Sequence, residues 1–238
     1  MNNLNIAENV AAVKRRIEKA ALAANRSAEE ITLVAATKTN SAESIAEAIN
    51  AGISVCGENR VQELLEKNAQ GAYAGSTLHF IGHLQKNKVK QIVGVCQLIQ
   101  SVDSLEKLSL IDSRAKALGI IQELLLEINI GGEESKSGMD ETELPAILEK
   151  ASSFSSVLIR GIMAIPPISN SAGENRVYFA RMRQLFIDNS AKKYDNVSME
   201  FLSMGMSGDF EEAIAEGSNM VRVGSAIFGA RAYPQVEA

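Results

Sequence analysis

The sequence predicts an α/β protein: one (β/α)8 TIM-type barrel over residues 1–238, with an extra N-terminal helix. Three observations lead there. Short apolar runs alternate with helical patterns, the runs number eight, and no linker or shift of composition divides the chain. Strict alternation of strand and helix builds a parallel sheet, and eight strands let that sheet close on itself. With one strand fewer, a doubly wound open sheet would be the rival.

The elements follow in order. Ile6, Val10, Val13 and Ile17 fall on one stripe with charged residues opposite, which gives the N-terminal amphipathic helix. The apolar runs are Ile31 to Ala36, Ile53 to Cys56, Leu78 to Gly82 and Leu98 to Val102, then Ile121 to Ile130, Val157 to Ile165, Val197 to Met204 and Met220 to Val223. Asn40 and Glu43 read as a capping box ahead of Ile45, Ala48 and Ile49, and Gly52 stops that helix. Val61, Leu64 and Leu65 repeat the pattern before Gly71, as do Leu105, Leu108 and Ile111 before Gly119.

Composition narrows the function. A hydrophobic fraction of 46% and a charged fraction of 22% are those of an ordinary globular protein. The net charge of −5, with both signs interspersed, argues against a nucleic-acid or anionic-membrane partner. No apolar run approaches the length of a membrane span, and the charged N-terminal segment is not a secretory signal. Cys56 and Cys96, the only cysteines, sit in apolar surroundings and read as buried free thiols, which suits a cytoplasmic location.

In barrels of this kind the chemistry sits just after the strands. Lys38 ends the first apolar run, where desolvation can lower a lysine's pKa and let it condense with an aldehyde as a Schiff base. Gly57-Glu58-Asn59-Arg60 follows the second run, Gly82-His83-Leu84-Gln85 the third, and Met163 to Pro167 the sixth. Gly205 to Asp209 and Arg222 to Ser225 resemble a phosphate cup, in which Gly208 and Gly224 expose backbone N–H groups and Ser207 and Ser225 add hydroxyls. The plainer reading is a set of turns and caps, with Asp209 or Ser207 satisfying orphan amides. Arg222, in an apolar strand, needs a partner: a structural carboxylate or a ring nitrogen of a cofactor.

Other constellations fail. His79 and His83 would lie roughly 13 Å apart along a strand, so a zinc site is not expected. The glycines make no dinucleotide or Walker fingerprint, and no histidine pairs with Ser203 or Ser207 as a triad. Lys86, Lys88 and Lys90 read as a solvated face, and Gly131 to Asp140 as a polar flexible loop.

Taken together, seven segments resemble one family. They are the stretch ending Thr37-Lys38; Gly57 to Glu63; His79 to Lys88; Asn129-Ile130 with Ser135-Lys136-Ser137-Gly138; Arg160 to Ile165; Leu202 to Asp209; and Val221 to Gly229. From about Leu33 to Tyr233 the chain is similar to the pyridoxal phosphate homeostasis proteins, related to the barrel domain of bacterial alanine racemase. The resemblance implies binding of pyridoxal 5′-phosphate (PLP), with Lys38 as Schiff-base lysine, Asn59 and Met163 flanking the ring, and Arg222 facing the pyridine nitrogen. It implies that Ser207, Gly224 and Ser225, with the amide of Gly208, hold the phosphate. Arg60 and His83 depart from the family pattern only at the rim.

The similar racemases take an acid/base tyrosine from an additional β domain, and this chain ends before one could begin. Among its tyrosines, Tyr73, Tyr178, Tyr194 and Tyr233, none closely follows a barrel strand. The expectation is therefore a monomeric, non-catalytic carrier that buffers PLP in vitamin B6 homeostasis and contacts PLP-dependent apoenzymes transiently. The alternative is a small amino-acid racemase.

Overall fold

Alternation of buried and polar positions resolves into a closed, all-parallel barrel. The computed structural model describes residues 5–133, 136–168, 171, 173–192 and 194–229. Strands β1 (Thr32–Ala36), β2 (Val55–Glu58), β3 (Thr77–Phe80) and β4 (Leu98–Val102) are joined by helices α2 (Ala42–Asn50), α3 (Val61–Ala69) and the short α4 (Val89–Ile92). The second half runs α5 (Leu105–Leu118), β5 (Gln122–Ile128), α6 (Leu144–Ala151), β6 (Val157–Ala164), α7 (Arg176–Ser190), β7 (Val197–Ser203), α8 (Phe210–Ala215), β8 (Met220–Val223) and α9 (Ser225–Phe228). Closure is direct: β1 pairs with β2 on one side and β8 on the other, Val34 standing opposite both Val55 and Arg222.

The extra N-terminal helix is α1 (Ile6–Ala23), capped by Asn5, whose side chain accepts from the Glu8 amide. Ile6, Val10, Val13 and Ile17 are all buried, and α1 packs on α8 and α9. Two apolar regions result. The larger lies between strands and helices; the smaller fills the barrel with Val34, Ala36, Val55, Ile81, Leu98, Leu125, Met163 and Met220. Because alternate strand residues face opposite ways, the parity of this inner group places His79, Gln100, Glu127, Ser203 and Arg222 inside as well.

Expected boundaries shift where polar residues are buried. The second strand is two residues further along than its apolar run, so Gly57 and Glu58 are strand rather than loop. Glu58 is wholly buried among polar partners, and at Gly57 a Cβ would come within 2.8 Å of Val34 and Ile81. The third strand ends at Phe80 instead of Gly82, the sixth at Ala164, so Met163 belongs to β6 and not to the loop after it. Between β6 and β7 the strands approach closely at Gly161 (φ +146°), where a Cβ would lie 1.9 Å from Phe201 O. The cap of α2 is also corrected: Ser41 accepts from the Ser44 amide, while Asn40 turns its amide back to Lys38 O. The glycine stops hold, with Gly52 and Gly119 both at positive φ.

Candidate functional site

The candidate residues are distributed over the C-terminal ends of five strands, which is one rim of the barrel. Lys38 stands two residues beyond β1 and is half-buried; Asn59 directly follows β2. Met163 lies inside β6, fully buried. Ser207 and Gly208 follow β7, Arg222 is in β8, and Gly224 and Ser225 come straight after it. Ser135, in one of the family-like segments, and Tyr233 lie outside the described residues.

Arg222 is the buried centre of this rim. Of the two partners that the sequence left open, the structural carboxylate is not found: no ion pair to Arg222 occurs among the described residues. Instead Nη1 donates to Ser203 Oγ at 2.6 Å and Nη2 to Ala164 O at 2.9 Å. Burial pushes the guanidinium down to about 10, against the pull of Glu127 and Asp209, so it stays a cation near neutral pH. The chain of bonds continues across the lumen. Ser203 donates to Gln100 Oε1 at 2.7 Å, and Gln100 Nε2 meets His79 Nδ1 at 3.0 Å. Desolvation pushes His79 down to about 4, so its ring is neutral and Nδ1 accepts the amide proton.

The glycine-serine loops form a cradle, with its hydroxyl already engaged. Ser207 Oγ accepts from the Gly224 and Ala226 amides at 3.1 and 3.3 Å, which is the plainer capping role foreseen for it. Asp209 likewise caps its own turn, accepting from the Met206 amide, and binds Asn175. Both amides converge on this one oxygen, where an anion would compete with the hydroxyl for them. Gly224 passes so close to Ala36 that a Cβ would meet its oxygen at 3.4 Å, whereas Gly208 opens on free space.

Three features suit a ring-and-phosphate ligand such as PLP. Asn59 Oδ1 is buried with no hydrogen-bond partner among the described residues. The bonds to Ser203 and Ala164 leave part of the Arg222 donor fork unassigned. The Gly224 and Ala226 amides meet at one hydroxyl oxygen. The residues present therefore fit the group.

Sequence reasoning missed Glu127, Gln100 and Ser203 as site residues. Each is a polar residue at an inward position of an apolar strand, a signal that strand parity carries. Glu127 is buried, and its carboxyl is held above the usual carboxylate range by burial, with Asp103 adding to it. It lines a cavity of about 570 Å³ with His83, Lys136, Ser137 and Ile165 at this same rim. No group of three or more metal-ligating side chains occurs among the described residues, and His79 and His83 stay apart in role.

Comparison with known proteins places the fold. The family described as alanine racemase, N-terminal domain, matches residues 5–232. The pyridoxal phosphate homeostasis protein of Aquifex aeolicus is 41% identical over 97% of this chain and 100% of its own length. That of Pseudomonas aeruginosa is 40% identical over 96% of both chains. The structure of PipY from Synechococcus elongatus with PLP bound superposes with a TM-score of 0.82 at 33% identity, covering 94% of this chain and 100% of that one. Barrel and rim lysine thus define a protein of the alanine racemase N-terminal class. Within that class, at this identity and coverage, the chain belongs to the pyridoxal phosphate homeostasis protein family.

Proposed function

We propose that this chain binds PLP at the rim and holds it covalently through Lys38, as a carrier that buffers the reactive aldehyde without dedicated turnover. The observation that carries the reading is the convergence on one barrel face of Lys38, the buried Arg222 cation and the amides gathered by Ser207. Its PLP-named relatives and the PLP-bound PipY structure support it. Bound PLP supplies an aldehyde for the Lys38 amine and a phosphate for the β7 and β8 loops.

The chain's own residues then have separate tasks. Ser207, Ser225, Gly224 and the Gly208 amide hold the phosphate. Met163, buried in β6, and Asn59, with its unpaired oxygen, would flank the ring. Arg222 faces the pyridine nitrogen and keeps its proton, because even at about 10 it gives that proton up far above neutral pH. An arginine there would not hand a proton to that nitrogen, so the bound group would supply only a weak electron sink, which disfavours racemisation. Tyr73 offers no acid or base at the rim, being buried with its hydroxyl 3.3 Å from Glu58. In this reading the protein acts as a monomer in the cytoplasm and meets recipient apoenzymes transiently. No described helix is long and apolar enough to cross a membrane.

The test is the visible spectrum of the protein, then borohydride reduction and peptide mass mapping. A pyridoxyl group on Lys38 is expected, and none in Lys38→Ala, which should still melt cooperatively because a strand-end side chain adds little core volume. No absorbance above the protein band after incubation with excess PLP would overturn the cofactor reading. Sustained racemisation of alanine that vanishes in Lys38→Ala would overturn the carrier reading and leave the cofactor in place.

A further inference from the structure

We propose that Glu63 and Lys67, on α3, are positioning residues for Lys38 that grip the peptide groups on both sides of its Cα. The inference deepens the role proposed for Lys38 and rests on it. Lys67 Nζ donates to Thr37 O at 3.0 Å, the carbonyl of the peptide entering Lys38. Glu63 Oε2 accepts from the Thr39 amide at 2.8 Å, the N–H of the peptide leaving it. These residues share one face of α3 at i and i+4 spacing, and Lys67 Nζ also lies 3.0 Å from Glu63 Oε2.

The grip is anchored below. The third donor of the Lys67 ammonium goes to Glu58 Oε2 at 2.8 Å. Glu58 is fully buried; the same oxygen lies 3.1 Å from Thr37 Oγ1, and its Oε1 accepts from the Asn59 amide at 2.7 Å. One carboxylate therefore ties the strand end before Lys38 to the backbone of Asn59. Burial opposes ionisation of Glu63, but the Thr39 amide and the Lys67 ammonium outweigh it and hold its carboxyl below the usual range.

The loop carries backbone strain at one residue. Thr39 sits at φ +64°, a region that a β-branched residue rarely adopts. Its Oγ1 and Asn40 Nδ2 both donate to Lys38 O, at 2.6 and 3.1 Å. Water could satisfy these rim peptides equally well. At Thr37 O and the Thr39 amide charged side chains do so instead, which fixes both peptide planes and with them the direction of the Lys38 side chain. Held orientation, not added affinity, is what speeds attack on a bound aldehyde.

The experiment compares wild type, Glu63→Ala and Glu63→Gln. PLP is added, borohydride stops the reaction at timed intervals, and the Lys38 adduct is quantified by mass mapping. Exchange of the Thr39 amide is followed by NMR without PLP. In Glu63→Ala, adduct formation is expected to slow roughly tenfold or more, with faster Thr39 exchange and a cooperative melt. Glu63→Gln should restore both, because its amide oxygen can accept the same bond. A wild-type rate in Glu63→Ala, or a slowed rate that Gln does not restore, overturns the proposal. If Ala fails to fold, Glu63→Asp, one methylene shorter, is expected to change both readouts in the same direction. Should wild type form no Lys38 adduct, the cofactor reading fails by itself. Thr39 exchange then decides the clamp, and equal exchange in wild type and Glu63→Ala overturns it.

Discussion

The guanidinium of Arg222 on β8 and the hydroxyl of Ser203 on β7 meet at 2.6 Å inside the barrel. Because arginine can only donate, the Ser203 hydroxyl must pass its own proton onward, to Gln100 Oε1 at 2.7 Å. The orientation of one side chain is thereby propagated across the lumen to His79. Ser203→Ala leaves an Arg222 N–H and the Gln100 carbonyl without these partners at buried positions. A loss of roughly 1–3 kcal/mol is expected in urea unfolding. An unchanged midpoint would show that water replaces the hydroxyl.

The far end of that chain should titrate. His79 is pushed down to about 4 by desolvation, while an unfolded histidine binds its proton near 6.5. Its folded pKa is depressed, so the unfolded state holds more protons between the two values. Stability contributed by the neutral ring is complete above pH 6.5 and declines as pH falls toward 4, by about 3 kcal/mol in all. His79→Gln, which keeps an acceptor for Gln100, should flatten that part of the stability profile. An equal acid slope in both proteins would assign the loss to carboxylates instead.

At the loops proposed to hold the phosphate, Ser207 gathers the amides of Gly224 and Ala226. If Ser207 donates to the phosphate as proposed, Ser207→Ala removes a bond of roughly 1.5–3 kcal/mol. PLP retention on dialysis is expected to weaken by about tenfold or more, with Ser225→Ala adding to it, while the adduct on Lys38 still forms. Unchanged retention in the double variant would remove these hydroxyls from the phosphate assignment.

Backbone packing beside Asn59 should be as exacting. A Cβ at Gly82 would stand 2.0 Å from Asn59 O, backbone against backbone, whereas at Gly208 it would meet nothing within 4 Å. Gly82→Ala is therefore expected to cost about 2 kcal/mol or more and to displace Asn59, and Gly208→Ala to melt close to wild type. Thermal melts of the pair decide it: equal midpoints would mean that the β2 and β3 loops yield freely.

Sequence by itself determined the order of strands and helices, the parallel barrel they imply, the buried stripe of α1, the stops at Gly52 and Gly119 and the place of Lys38 at a strand end. Those properties live in local period and in turn chemistry, which neighbouring residues encode. Tertiary structure alone decided that Glu58 is strand, that Ser41 and not Asn40 caps α2, and that Arg222 is held by Ser203 and Ala164. Polarity at Glu58 reads as loop until Lys67, Thr37 and Tyr73 surround it. Arg222 has no local partner to read; its neighbours arrive only when the register of β6, β7 and β8 brings distant residues to one level of a closed sheet. Local pattern carries periodicity, but partner choice for a buried polar group depends on which strands closure sets side by side.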